Sequence, residues 1–422
     1  MKANLAVRAS FGLTAFLLAA PALGAEKDWG SWAGPSRDFS APEAALADSW
    51  PSDGPKKLWT MDVKGGYACI PVVDGVAYIA GRDGDTEMLI AADAKTGEKK
   101  WEYKYDAAVP KDFEFDTRFG YGPNSTPTVL GDRVVMIGHL GHMTCVDKSG
   151  KLLWKHDLHA EYAAPYLHFG YSASPVVYKD TLITLVGGKG NSIVAFDPKD
   201  GKVVWNKMDY EISYGSPQIM AIGGKDVLVT QVLDNTIACN PTTGELLWSA
   251  PREYQYNHNA ASPVWCGDGN VFVGTPDKNG SSGFYHLEWK GDKLEGTEVW
   301  TSKIGMVHQN VLATDKFLLS SSSRPKSVLG LDPKTGEKSF TDREFGHSNF
   351  VRCGNRLIAL EEDGTLRLCE LKEDGIKLLA SHDFLGDKSW AAPTVVGTRV
   401  YIRDASRVVA LDLGAPAAAM GR

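Results

Sequence analysis

The residues best suited to chemistry form a series. Tyr67, Tyr121, Tyr171, Tyr214, His258, His308, His347 and Trp390 occur one per stretch of similar length, each just ahead of a small-residue or apolar segment. Rings of this kind, gathered around one opening, stack a flat ligand or grip an extended peptide; equally, they pack against one another and plug the opening. The three histidines are the acid–base candidates among them, but catalysis also requires that an acid, a base or a nucleophile be brought together with them. No Ser-His-Asp order, phosphate-binding glycine loop or metal-ligand spacing accompanies them. His139 and His142 are three apart around Gly141, in a segment that reads as a solvated turn rather than a metal pair. Asp83-Gly84-Asp85-Thr86-Glu87 is acidic but lacks the spacing of a calcium loop, and also reads as a turn. The sequence therefore predicts no catalytic set and no metal site, and a ligand- or partner-binding ring instead.

Such a ring needs a frame that repeats, and the frame is legible. A β-rich block recurs eight times, starting at Val76, Arg133, Thr181, Asp226, Asn270, Lys316, Arg356 and Arg399. The steps between these starts run from 40 to 57 residues, which is the period of propeller blades. Tight polar turns such as Asp74-Gly75 and Gly354-Asn355 precede most blocks and predict antiparallel hairpins. Upstream lies a strand opening on small residues and proline, as in Asn124-Ser125-Thr126-Pro127, Ser172-Ala173-Ser174-Pro175 and Ala261-Ser262-Pro263. Small residues suit strands that converge on an axis, and proline is tolerated at a strand's first residue.

Downstream of each block comes a second hairpin, clearest at Asp93-Ala94-Lys95-Thr96-Gly97 ending in Trp101. It returns ending in Trp154, Trp205 and Trp248, with Phe340 in the aromatic place of a further copy. One aromatic per unit at a fixed place predicts a wedge between neighbouring blades, a role also expected for Trp59 and Trp300. Each unit thus has four strands, here A to D from the axis outward. The last unit, from Trp390 to Leu413, has only three; Lys57-Leu58-Trp59-Thr60 has the pattern of its missing strand D and would close the ring. The expectation is an all-β, eight-bladed β-propeller over residues 56–413, with an extended leader at 26–55 and a flexible tail at 414–422. The long, aromatic D–A loops, Asp106–Gly120 and Asp157–Gly170 foremost, are the places where the units differ.

On the hairpins ending in Trp101 and Trp205, and on the opening Trp29-Gly30-Ser31-Trp32-Ala33-Gly34-Pro35, the chain resembles the pyrroloquinoline-quinone-like (PQQ-like) β-propeller repeat family over nearly its whole length. That resemblance implies one of two functions. Quinoprotein alcohol dehydrogenases of the family carry PQQ and calcium, with a disulfide between adjacent cysteines. The BamB-like members are non-enzymatic scaffolds. The cysteines here, Cys69, Cys145, Cys239, Cys266, Cys353 and Cys369, include no adjacent pair. The reading favours the second kind: no cofactor, and a protein or peptide partner or a small flat ligand at the D–A loop face. A PQQ-dependent alcohol or sugar oxidoreductase is the alternative.

Residues 1–25 read as a cleaved signal peptide: Lys2 and Arg8, then the apolar run Phe11–Ala20, then small residues, with no cysteine after the run. Its loss takes away two positive charges, leaving 43 Lys and Arg against 52 Asp and Glu. An acidic chain without a basic run excludes nucleic acid as a partner. No apolar stretch reaches the ~20 residues of a membrane span. The scattered cysteines read as small buried hydrophobes. The expected location is the periplasm or the exterior.

Overall fold

The structure is a computed structural model that describes residues 28–252, 259–275, 282–305, 309–323 and 325–415. Eight antiparallel sheets stand in a ring, and the helical content described is one turn at Thr117–Phe119 and one short helix at Leu158–Tyr162. In blade 1, strands A to D are Val72–Val73, Val76–Asp83, Thr86–Asp93 and Lys99–Asp106. The next six blades repeat this order, down to blade 7 at Ser348–Cys353, Arg356–Glu361, Thr365–Leu371 and Ile376–Asp383. Blade 8 takes three strands from Thr394–Asp412 and its fourth from Lys56–Asp62, with Trp59 opposite Ala410. The eight-bladed propeller is therefore closed by its N-terminal strand.

Two devices hold the blades to one another. The first is the tryptophan hairpin. Trp59 Nε1 donates to Ala94 O at 3.0 Å, Trp101 Nε1 to Lys148 O at 2.7 Å, Trp154 Nε1 to Pro198 O at 3.0 Å, and Trp300 Nε1 to Pro333 O at 2.9 Å. In every case the acceptor is the residue after the Asp that opens the next blade's C–D turn. That turn is pinned by its own Asp, as when Asp93 Oδ1 accepts from the N–H of Lys95 and Thr96 at 3.0 Å each. The turn's glycine then leaves room for the incoming indole: at Gly150, where φ is +86°, a Cβ would sit 2.7 Å from the Trp101 ring. Trp205 lies over Gly244 in the same way, Trp248 against Gly296 of blade 5, and Phe340 faces Gly375 of blade 7, where a Cβ would sit 3.6 Å from its ring.

The second device lies at the axis, where A strands diverge too far for β-pairing. There a side-chain hydroxyl of one blade accepts a backbone N–H of the blade before it. Cys69 N donates to Thr126 Oγ1 (3.1 Å), Thr126 N to Ser174 Oγ (2.9 Å), Ser174 N to Ser216 Oγ (2.9 Å) and Ser216 N to Ser262 Oγ (2.8 Å). Asn310 N donates to Asn349 Oδ1 at 2.9 Å on the far side of the ring. Thr126, Ser174, Ser216 and Ser262, each just before an A-strand proline, are thus acceptors, which satisfies backbone groups that a buried strand start would otherwise leave unpaired.

The leader is folded onto the propeller. Trp29 is 1 % exposed and bridges Val72 of blade 1. Val129 N of blade 2 donates to Gly30 O, and the Arg37 guanidinium donates to Val177 O of blade 3. Ser40–Ala41 then pairs in parallel with Arg352–Cys353 of blade 7. In crossing from blade 3 to blade 7 the leader spans the axis at the A–B turn end. Ala33, Arg37 and Phe39 take positive φ there, which lets the chain fold back on itself.

Candidate functional site

An axial cavity of about 590 Å³ lies between the leader and the D–A loops. Its floor is Trp32, Arg37, Asp38 and Phe39 of the leader with Trp265 of blade 5. Its mouth has two aromatic walls. On one, Trp390 packs on Tyr67 (centroids 4.7 Å, planes at 41°) and on Phe119 (4.8 Å, 66°). Tyr67 Oη donates to Phe119 O at 3.0 Å, Trp390 Nε1 donates to Glu362 at 3.0 Å, and Lys388 Nζ lies 4.7 Å from the Phe119 ring centre. On the other wall Phe169 and Tyr214 meet edge to face at 5.7 Å. Burial pushes the Tyr67 and Tyr214 phenols up to about 12, so both stay protonated near neutral pH.

Of the eight ring positions read from the sequence, Tyr67, Tyr214 and Trp390 line the cavity. Three turn elsewhere. Tyr121 packs edge to face on His139 at 5.5 Å and takes the Arg82 guanidinium over its face at 5.6 Å. Tyr171 is buried in blade 3, its hydroxyl donating to Val186 O at 2.9 Å. His347 is buried with Nε2 2.9 Å from Gln309 Oε1, and burial lowers its pKa to about 4. His258 and His308 lie outside the described residues. The sequence reasoning missed the floor altogether, because nothing in the leader's composition says where it folds.

The solvated-turn reading of His139 needs correction. It is 2 % exposed, with Nδ1 3.2 Å from Gly122 O, and desolvation lowers its pKa to about 4. Beside it is a buried polar knot on Glu87, which accepts from Tyr105 Oη (2.5 Å), His139 N (2.9 Å) and Arg82 Nη1 (3.3 Å). Glu87 is thus a buried anchor, not a calcium ligand. The D–A loop between blades 1 and 2 covers the knot, with Phe115 5.2 Å from the His139 ring, so the turn is roofed over.

The donor chemistry decides what the cavity can hold. Its two lining acids are engaged: Asp116 chelates the Arg118 guanidinium, which holds its carboxyl down at about 2, and Asp38 Oδ1 accepts from Ser40 N at 2.9 Å. Among the described residues no three His, Cys, Asp or Glu side chains cluster as a metal site. The six cysteines are free, and five of them are buried. These residues do not supply the calcium ligands or the adjacent cysteine pair of a PQQ dehydrogenase site. What they offer is aromatic surface with amides and hydroxyls between.

Comparison with known proteins agrees with this architecture. A family model described as "Outer membrane protein assembly factor BamB" matches residues 51–211 and 141–342. The outer membrane protein assembly factor BamB of Burkholderia pseudomallei (strain K96243) is 27 % identical over 202 residues, 46 % of each chain. The quinoprotein alcohol dehydrogenase PedH of Pseudomonas putida is 26 % identical over 173 residues, 37 % of this chain and 26 % of that one. The chain thus spans less than half the length of either curated relative it matches. Among solved structures, BamB from Moraxella catarrhalis superposes with a TM-score of 0.60 at 15 % identity, covering 85 % of this chain and 99 % of that one, a likeness of fold. With the eight closed blades and a family match running from residue 51 to residue 342, the chain belongs to the PQQ-repeat, BamB-like propeller family.

Proposed function

We propose that this chain is an exported, non-catalytic binding or scaffolding propeller that holds a ligand or protein partner at its D–A loop face. One observation carries the reading: the axial cavity ends on the leader, opens between the aromatic D–A loops, and has its acids tied up in Asp116–Arg118 and Asp38–Ser40 contacts. A site so built offers contact surface and hydrogen bonds but, among the described residues, no poised base or nucleophile. Tyr67, Tyr214 and Trp390 are its walls; Tyr121, Tyr171 and His347 support the loops that carry them; His258 and His308 keep their place as candidates from the sequence. The BamB-like family places relatives with outer-membrane assembly, which fits a protein partner and a periplasmic location. Among the described residues no helix is long and apolar enough to cross a membrane.

The match to a quinoprotein alcohol dehydrogenase motivates the second reading, PQQ-dependent oxidation of an alcohol or sugar. The test is thermal denaturation of the purified chain with PQQ and calcium added together. No shift is expected. A rise in Tm that grows with ligand concentration, as linkage requires of a ligand bound to the folded state, overturns the non-catalytic reading.

A further inference from the structure

We infer that the axial cavity takes a small aromatic monocarboxylate, with its carboxylate beside the Arg37 guanidinium at the floor and its ring against the aromatic walls at the mouth. The inference rests on the binding reading above and names the ligand's chemistry.

Charge decides the polar end. The charged side chains lining the cavity are Arg37, Asp38, Asp116 and Arg118. Asp116 and Arg118 neutralise one another. Asp38 is exposed and accepts from Ser40 N at 2.9 Å. Arg37 has no such compensation. Its guanidinium donates to Val177 O, a neutral acceptor, and its Nη1 is buried without a hydrogen-bond partner. No carboxylate pairs with it among the described residues. Desolvation lowers its pKa, and no anion acts to raise it. A cation withdrawn from water without a counter-charge is costly, so its place in a cavity wall calls for an anion beside it.

The planar guanidinium suits carboxylate and phosphate alike. The count of charges separates the two. One uncompensated cation balances one negative charge, and a second on the ligand would be repelled by Asp38, which lines the same floor. A monocarboxylate fits this balance and a phosphate dianion does not.

The remaining lining decides the body of the ligand. Trp32, Phe39 and Trp265 share the floor with Arg37. At the mouth Trp390 packs on Tyr67 and Phe119, and Phe169 meets Tyr214 opposite. Aromatic groups at both ends favour a ligand ring that meets them edge to face or offset. The volume of about 590 Å³ lies within the range of small-molecule sites. A peptide laid along an A strand is disfavoured, because it needs free N–H groups. Those of Cys69, Thr126, Ser174 and Ser216 already donate to the neighbouring blade's hydroxyl.

The test is isothermal titration of the full chain with phenylacetate, indoleacetate and naphthoate, each beside its primary amide. The amide keeps the ring and the shape and drops the charge. At least one acid is expected to bind with a Kd between about 10 µM and 1 mM, about tenfold or more tighter than its amide. Arg37→Gln is expected to erase that preference and leave the amide's affinity within about twofold. Arg37→Lys, which keeps the charge without the fork, is expected to retain part of the preference. Trp390→Ala is expected to weaken acid and amide alike, with the preference intact. Near-ultraviolet circular dichroism reports that each variant is folded, and the acid–amide comparison in the parent chain decides even where Arg37→Gln does not fold. Binding by none of the acids, equal binding of acid and amide, or a preference that survives in folded Arg37→Gln overturns the inference. Tighter binding of naphthyl phosphate than of naphthoate overturns it as well. PQQ with calcium is run beside them. If that pair raises Tm, the non-catalytic reading fails; if it and the acids all leave the protein unmoved, the carboxylate assignment alone fails.

Discussion

The tryptophan hairpin makes its strongest prediction at one glycine. Gly150 and Gly131 both belong to blade 2 and both have positive φ, +86° and +57°. An alanine at either pays for the left-handed backbone, about 1 kcal/mol. They differ in what the new methyl group meets. At Gly131 nothing lies within 4 Å; at Gly150 the Trp101 indole lies 2.7 Å away. The indole has no easy retreat, because its Nε1 is fixed on Lys148 O at 2.7 Å and its ring packs 6.1 Å from Tyr78. Overpacking of this kind costs a further ~1–3 kcal/mol. Gly150→Ala should therefore destabilise by about 2–4 kcal/mol and Gly131→Ala by about 1 kcal/mol. At the usual unfolding entropy per residue, each kcal/mol moves Tm of a propeller this long by about 1.3 °C. Calorimetry should then show a fall of about 3–5 °C for Gly150→Ala against about 1 °C for Gly131→Ala. In a Trp101→Ala background the clash is gone, and Gly150→Ala should cost no more than Gly131→Ala. Equal effects of the two alanines in the native background would refute the wedge.

Two further outcomes follow from the axis and the buried imidazoles. Ser174→Ala removes the acceptor for Thr126 N and should cost about 1–3 kcal/mol in urea unfolding, with faster hydrogen exchange at the Thr126 amide than in the parent chain. Desolvation lowers the His139 pKa to about 4 in the folded protein, against 6.5 for a solvated imidazole. Between those values the unfolded chain binds more protons, so stability rises with pH and is lost as pH falls from 6.5 toward 4, by about 3 kcal/mol at the lower end. The plot of Tm against pH should be steep in that window and shallower in His139→Gln; an unchanged slope would count against a neutral buried His139.

Periodic features were legible and unique ones were not. All eight strand-B blocks form strands, and those beginning at Val76, Arg133, Thr181, Asn270, Arg356 and Arg399 start on the residue where the pattern starts. The repeat signals its own register, because turn glycines, β-branched runs and the aromatic recur together. Closure at Trp59 was legible for the same reason: a strand-D pattern stood where no blade preceded it. The small residues before the prolines were read as a steric fit, and the second task of Thr126, Ser174, Ser216 and Ser262 as hydroxyl acceptors was invisible, since it depends on the neighbouring blade. Positional equivalence also failed to fix side-chain direction. Tyr67 and Tyr171 hold matching places, yet the loop carrying Leu158–Tyr162 buries Tyr171, and Tyr67 stays at the cavity. The leader has no period, so its path across the axis could not be read.

Closing the ring with its first strand also sets an order of events in synthesis. Lys56–Asp62 emerges early, but its partner Arg407–Asp412 follows only after 344 intervening residues. At cellular elongation rates that interval is about 20–70 s. Until it ends, seven residues with β-propensity stand with both edges open, a template for pairing with the wrong chain. The strand carries its own protection in Lys56, Lys57 and Asp62, charges at either end of the run that a stray partner strand would have to accommodate. The propeller thus gains a ring without a seam by making its closing step wait for Arg407–Asp412.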